Sequence, residues 1–226
     1  MHHPEHTSRR FDAELDDIHA RLLKMGSLVE QQFSQALNAL STCSAYLARE
    51  VIDRDAQVNR FEVEIDEACC SIIARRQPAA NDLRFIVSAT KVVVHLERIG
   101  DETKKIARMA ELLAKPDRLT LPRFSEIGHA ATLAQSMLHE ALDALARLDG
   151  QAANAIIQRD AMLNSEYHAI LRHLVGYMMD NPRSISASLE ILFIAKAIER
   201  IGDHIKSVLK QVSDMWEAER PTYTAE

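Results

Sequence analysis

Apolar residues recur along this chain at steps of three and four. Leu15, Ile18, Leu22, Met25, Val29, Phe33, Leu37 and Leu40 make one unbroken stripe. That period sets one face of a helix against a core over about seven turns. Ser8 stands where an N-cap belongs, and Ser41-Thr42 marks the end. A second helix is predicted over 44–76, with Val51, Val58, Ile65 and Ile72 at heptad spacing. Pro78 and Asn81-Asp82 break it, and either Asn81 or Asp82 suits the cap of a third helix over 82–114. Val92-Val93-Val94 alone could be a buried strand, but the segment around it is far too long for one. Lys115-Pro116 stops that helix, and 115–123, with Pro116 and Pro122, reads as a linker. Three more helices are predicted over 123–147, 151–179 and 184–218, the first ending at Asp149-Gly150. Residues 1–7, three histidines among them, and the stretch from Pro221 onward read as tails.

The second half repeats the first. Gln35-Ala36-Leu37-Asn38-Ala39-Leu40 matches Glu140-Ala141-Leu142-Asp143-Ala144-Leu145 at an offset of 105 residues. Arg54-Asp55-Ala56 matches Arg159-Asp160-Ala161, and Asn59 matches Asn164, at the same offset. Leu96-Glu97-Arg98-Ile99-Gly100-Asp101 returns as Ile198-Glu199-Arg200-Ile201-Gly202-Asp203 at 102. The smaller offset implies a tighter second-half turn near Asn181-Pro182. The expected fold is therefore all-α: two tandem three-helix bundles related by internal duplication, over 8–115 and 122–218.

Composition supports that reading. Hydrophobic residues make up 47% and aromatics only 5%, with six each of Gly and Pro, which favours helices over a sandwich or barrel. A formal net charge of −6 argues against nucleic-acid binding. Three cysteines, Cys43, Cys69 and Cys70, form no disulfide framework and suit packed thiols in a reducing compartment. No apolar stretch reaches the ~18 residues needed to span a bilayer. The first residues lack the pattern of a signal peptide. A cytoplasmic protein is expected.

The doubled motif carries the candidate chemistry. On a helix, Glu97 and Asp101 share a face, about 5–6 Å apart at Cβ, and Gly100 lies on that face too. Like charges at that spacing repel unless a cation lies between them. A helical glycine costs about 1 kcal/mol against alanine, so its repetition suggests a face kept bare for something to approach. Counting residues back from each turn puts Glu97 and Asp101 level with Asp55 and Asn59, with Glu62 and Glu30 nearby. Glu199 and Asp203 fall level with Asp160 and Asn164, with Glu166 nearby. The candidate metal ligands are thus Glu97, Asp101, Asp55 and Asn59 in one unit, and Glu199, Asp203, Asp160 and Asn164 in the other. Oxygen-only ligation suits Mg, Mn, Ca or iron better than zinc. The competing account is of solvated acids with basic neighbours, Arg98, Lys104 and Lys105 beside the first motif, and of Arg54, Arg98, Arg159 and Arg200 neutralising the acids of both units as surface pairs. His95 and His204 are expected to be exposed. Glu126-x-x-His129 and Asp16-x-x-His19 are chance spacings, since they are not equivalent between repeats. Arg75 and Arg76, with Asp82 and Arg84, could read a partner or a phosphate, or form a solvated turn.

These residues resemble the PhoU family, accessory regulators of the bacterial phosphate-specific transport system. The likeness is carried by Arg76-Gln77-Pro78, Asp82-Leu83-Arg84, Leu96 to Asp101, and Ile198 to His204. It covers about residues 10–215. It implies two side-by-side three-helix bundles and a multinuclear metal site on each, filled by divalent or ferric ions: iron, Mn, Mg or Zn. It implies no enzyme activity. It implies a negative regulator of the phosphate-starvation response, coupling the phosphate ABC importer to a sensor histidine kinase. Such a protein meets the membrane only through protein partners, and a homodimer is expected. Asp82-Leu83-Arg84 has no copy near Ser184-Ile185-Ser186, so the bundles should differ in their partner contacts. The alternatives are a carboxylate-bridged di-metal oxidase and a metal-free helical adapter.

Overall fold

The stripe read in the first helix is the core of α1 (Arg9–Ser41). Ile18, Leu22, Met25, Val29 and Phe33 are fully buried. The heptad positions of α2 (Ala45–Arg76), Val51, Val58, Ile65 and Ile72, are buried as well. Ser44 caps α2, its side chain accepting from the Leu47 N–H at 3.3 Å. Gln77 closes it in the left-handed region at φ 47, a conformation that ends helices by satisfying their last carbonyls. Next comes α3 (Ala80–Leu113). The chain is described by a computed structural model over residues 9–115 and 125–219. The predicted Ser8 cap, both tails and nearly all of the predicted linker lie outside those residues. Among the described residues there is no strand.

The second unit consists of α4 (Ser125–Arg147), α5 (Gly150–Ile157), α6 (Asp160–Asp180) and α7 (Ile185–Glu219), with a 3-10 turn at Pro182–Ser184 before α7. The single helix expected over 151–179 is broken at Gln158-Arg159. Neither glycine nor proline marks the break. The Arg159 guanidinium reaches α4, donating to Glu140 at 2.6 and 2.7 Å and to Ser136 Oγ at 3.1 Å. Asp149 does not simply end α4. It caps α5, its carboxylate accepting from the Gln151 and Ala152 N–H groups at 3.1 and 3.0 Å. The fold is therefore two tandem helical bundles, with the middle member of the second in two pieces.

The bundles meet along two seams. α3 and α7 form the most extensive helix pair. They run antiparallel, since His95 faces His204 while Glu102 accepts from Arg200 at 3.2 Å. Burial on both sides explains the valine run: Val92 and Val93 are buried and only Val94 faces outward. The second seam joins α1 to α4. His19 bonds the Leu145 carbonyl at 3.0 Å and His139 bonds Glu30 at 2.8 Å. Between these contacts, a Cβ on Gly26 would collide with Leu142 Cδ2.

Candidate metal centres

The acidic motif lies mid-helix in α3 and again in α7, and the helix opposite each is the one predicted. Gly100 sits against Val58 of α2, where a Cβ would come to 3.3 Å from Val58 Cγ1. Gly202 sits against Leu163 of α6, where a Cβ would collide with Leu163 Cδ2. The levels counted from the turns thus hold. The meaning given to the glycines does not: they let two helices approach closely, and the face they leave bare is filled by an apolar side chain.

In the first unit, the Asp55 side chain is only 4% exposed. One of its oxygens accepts from Lys104 of α3 at 2.5 Å, while the other, Oδ1, is buried without a hydrogen-bond partner. Glu97 is mostly buried, with Arg98 at 3.5 Å. Asp101 is more open, 3.7 Å from the same guanidinium. Burial pushes the Glu97 carboxyl above the usual range. Asp101, Glu62 and Asp55 add to this, against Arg98. So Asp55, Glu62, Glu97 and Asp101 share one field. Asn59 is exposed at the edge. Glu30 is not part of this face, because it points to His139 of α4.

The second unit repeats the arrangement with different neutralisation. Asp160 is buried and accepts from Lys206 at 2.8 Å. Glu199 is buried and accepts from Lys196 at 2.5 Å. Asp203 lies at the open end. Partial burial raises its carboxyl, as do Glu199 and Asp160, against Lys196 and Lys206. Asn164 is half-buried nearby.

The arginine account fails for three of its four residues. Arg98 does sit by its acids. Arg54 is directed at Gln35 and Glu50, Arg159 binds Glu140, and Arg200 crosses to Glu102. Lysines hold the buried aspartates: Lys104, one of the basic neighbours expected beside the first motif, and its counterpart Lys206. Lys104 and Lys206 each follow the motif aspartate by three residues, at the same offset of 102 as the acids. The repeated unit therefore extends to Gly-Asp-x-x-Lys, a signal present in the sequence alone.

Among the described residues, no three His, Cys, Asp or Glu side chains already stand in a ligand arrangement. The donor set still suits a hard cation. It is carboxylate oxygen throughout, Glu97 and Asp203 are held above their usual range, and Asp55 keeps an unsatisfied oxygen. Asp55, Glu97 and Asp101 could hold such an ion in one unit, and Asp160, Glu199 and Asp203 in the other. The lysine heads would have to move aside.

The PhoU domain model matches the chain twice, over residues 22–110 and 127–212. The chain belongs to the PhoU family. It is 46% identical to the phosphate-specific transport system accessory protein PhoU homolog of Pseudomonas aeruginosa over 92% of this chain and 85% of that one. It is 42% identical to the accessory protein PhoU of Escherichia coli over 90% of this chain and 84% of that one. The crystal structure of PhoU from Pseudomonas aeruginosa superposes with a TM-score of 0.87 at 45% identity, covering 91% of this chain and 98% of that one. The phosphate transport system regulatory protein PhoU from Streptococcus pneumoniae gives 0.83 at 29%, covering 91% and 96%.

Other sequence candidates in this PhoU-family chain serve structure. Arg76 forks onto Glu14 of α1 at 3.1 Å through both Nε and Nη2, with Arg75 at 3.6 Å from the same carboxylate. His19 packs edge-on against Phe85. His95 and His204 are half-buried against each other, not exposed. Cys69 is buried, its thiol pushed up to about 12 mainly by burial, whereas Cys43 and Cys70 are exposed. No described helix is long and apolar enough to cross a membrane.

Proposed function

We propose that this chain is a non-catalytic regulator of phosphate uptake. It represses the phosphate-starvation response by linking a phosphate ABC importer to its sensor histidine kinase, in the cytoplasm, and it reaches the membrane through those partners. Its two units, 8–115 and 122–218, each carry a hard-metal centre. The observation that carries this reading is the double PhoU domain match, with one acidic motif at mid-helix in each copy. Relatives named as accessory proteins of phosphate-specific transport support it. In this reading the metal supplies charge neutralisation between neighbouring helices. The chain's own residues do the rest: Asp55 and Asp160 present buried oxygens, and Lys104 and Lys206 hold those oxygens when no ion is bound.

The test is genetic. Deleting the gene should switch on a phosphate-starvation reporter in phosphate-rich medium, and this chain supplied in trans should silence it. Unchanged reporter output in the deletion strain would overturn the proposal.

A further inference from the structure

The two acidic faces are equivalent by position but not by charge. α6 residues follow their α2 counterparts by 105, as Leu163 follows Val58 against the motif glycines. α7 residues follow their α3 counterparts by 102. These offsets pair Glu62 with Tyr167 and Val94 with Lys196. An acid and a valine on the first face are thus replaced by an aromatic ring and a cation on the second.

The exchanged pair is coupled on the second face. Lys196 Nζ lies 5.0 Å from the centre of the Tyr167 ring and donates to Glu199 at 2.5 Å. A cation over an aromatic face is attracted to it, and the carboxylate fixes the other side of the ammonium. Glu199 therefore already has a cation bound to it. On the first face the equivalent glutamate, Glu97, has no lysine. Its nearest cation is Arg98, at 3.5 Å, shared with Asp101. The first face sets four carboxylates, Asp55, Glu62, Glu97 and Asp101, against Lys104 and Arg98. The second sets three, Asp160, Glu199 and Asp203, against Lys206 and Lys196. The first face alone keeps a buried aspartate oxygen, Asp55 Oδ1, with no partner.

Resting on the reading of both faces as hard-cation centres, we propose that the two are graded: the first face takes a divalent cation first, and Lys196, held by Tyr167, is a tethered competitor that makes the second fill only at higher concentration. A neighbouring opposite charge changes the constant with which a carboxylate binds a proton by about tenfold or more, and a metal cation meets the same field, so the two affinities should differ by at least about tenfold. A protein built this way responds to two concentration ranges of one ion.

The experiment is calorimetric titration of the chelator-treated full chain with Mn2+. The wild type should show a tight and a weak phase. Glu97→Ala with Asp101→Ala should remove the tight phase, and Glu199→Ala with Asp203→Ala the weak one. Lys196→Val should bring the weak phase to within a few-fold of the tight one. Val94→Lys should weaken the tight phase by about tenfold. Circular dichroism melting of each variant would establish that it is folded. Two phases unmoved by Lys196→Val and Val94→Lys would overturn the grading and leave the metal centres standing. A tight phase lost with Glu199 and Asp203 would overturn it as well. No Mn2+ uptake by the wild type would overturn both.

Discussion

His95 of α3 and His204 of α7 face each other between the bundles, their ring centroids 5.6 Å apart and their planes inclined by 35°. Burial holds both imidazoles below the ordinary histidine range. For His95 the facing His204 adds to this. For His204, Arg98, Arg200 and Lys105 lower it further while Glu102 opposes them. Such a base binds fewer protons folded than unfolded, so stability falls with falling pH. Its contribution is intact above about pH 6.5, the unfolded value, and is lost as pH drops through the lower folded values. Glu97 and Asp203, held high, act in the opposite sense and are common to both proteins compared. Between about pH 7 and about pH 5, His95→Gln with His204→Gln should lose less melting temperature than the parent. Equal losses would show that the pair does not set the acid limb.

Gly100 and Gly202 should respond differently to alanine. Alanine gains about 1 kcal/mol of helix propensity at either position. At Gly100 the new Cβ meets Val58 at 3.3 Å, so Gly100→Ala should be close to neutral. At Gly202 it collides with buried Leu163, and overpacking of that kind costs about 1–3 kcal/mol. Gly202→Ala should therefore melt below Gly100→Ala. The reverse order in thermal unfolding would place the close approach in the wrong unit.

The Lys104–Asp55 pair should be structural in the absence of metal. Removing one partner of a buried pair leaves an uncompensated charge, at about 3–5 kcal/mol. Lys104→Met should approach the lower figure, since the Lys104 side chain is 25% exposed. Lys206→Met should cost less, because Lys206 is 48% exposed. Urea unfolding of chelator-treated protein measures both. If Lys104→Met unfolds at the parental urea concentration, Asp55 is not held by that lysine.

Metal should stabilise the fold through the acids. An ion that binds only the native state adds about 2.7 kcal/mol at a hundredfold excess over its Kd. Mn2+ should raise the melting temperature of the wild type. It should leave unmoved a variant with Glu97, Asp101, Glu199 and Asp203 all changed to alanine. An equal rise in both proteins would move the binding site elsewhere.

Much of this fold was legible in periodicity, because one-sided helices such as α1 advertise their buried face. α3 and α7 are buried on more than one side, so their patterns carry less directional information. That is why His95 and His204 were expected in solvent and lie instead in the seam. The acid levels were readable because helical rise is uniform. Rotation about each axis is not encoded in a count, and Glu30 fell on the wrong side. The break before α6 has no local marker: it coincides with the Arg159–Glu140 contact, which joins positions 19 residues apart. Lys104 and Lys206 were visible, repeated at the motif's own spacing.

The two seams have a mechanical consequence. Bundles joined along α3–α7 alone could swing about that line like covers about a spine. The α1–α4 contacts at His19, Gly26 and Glu30 fasten a second line, and any such swing would have to break them. Two lines of contact favour bundles that turn together, as a stiff lever does, over bundles that open and shut like a pair of jaws.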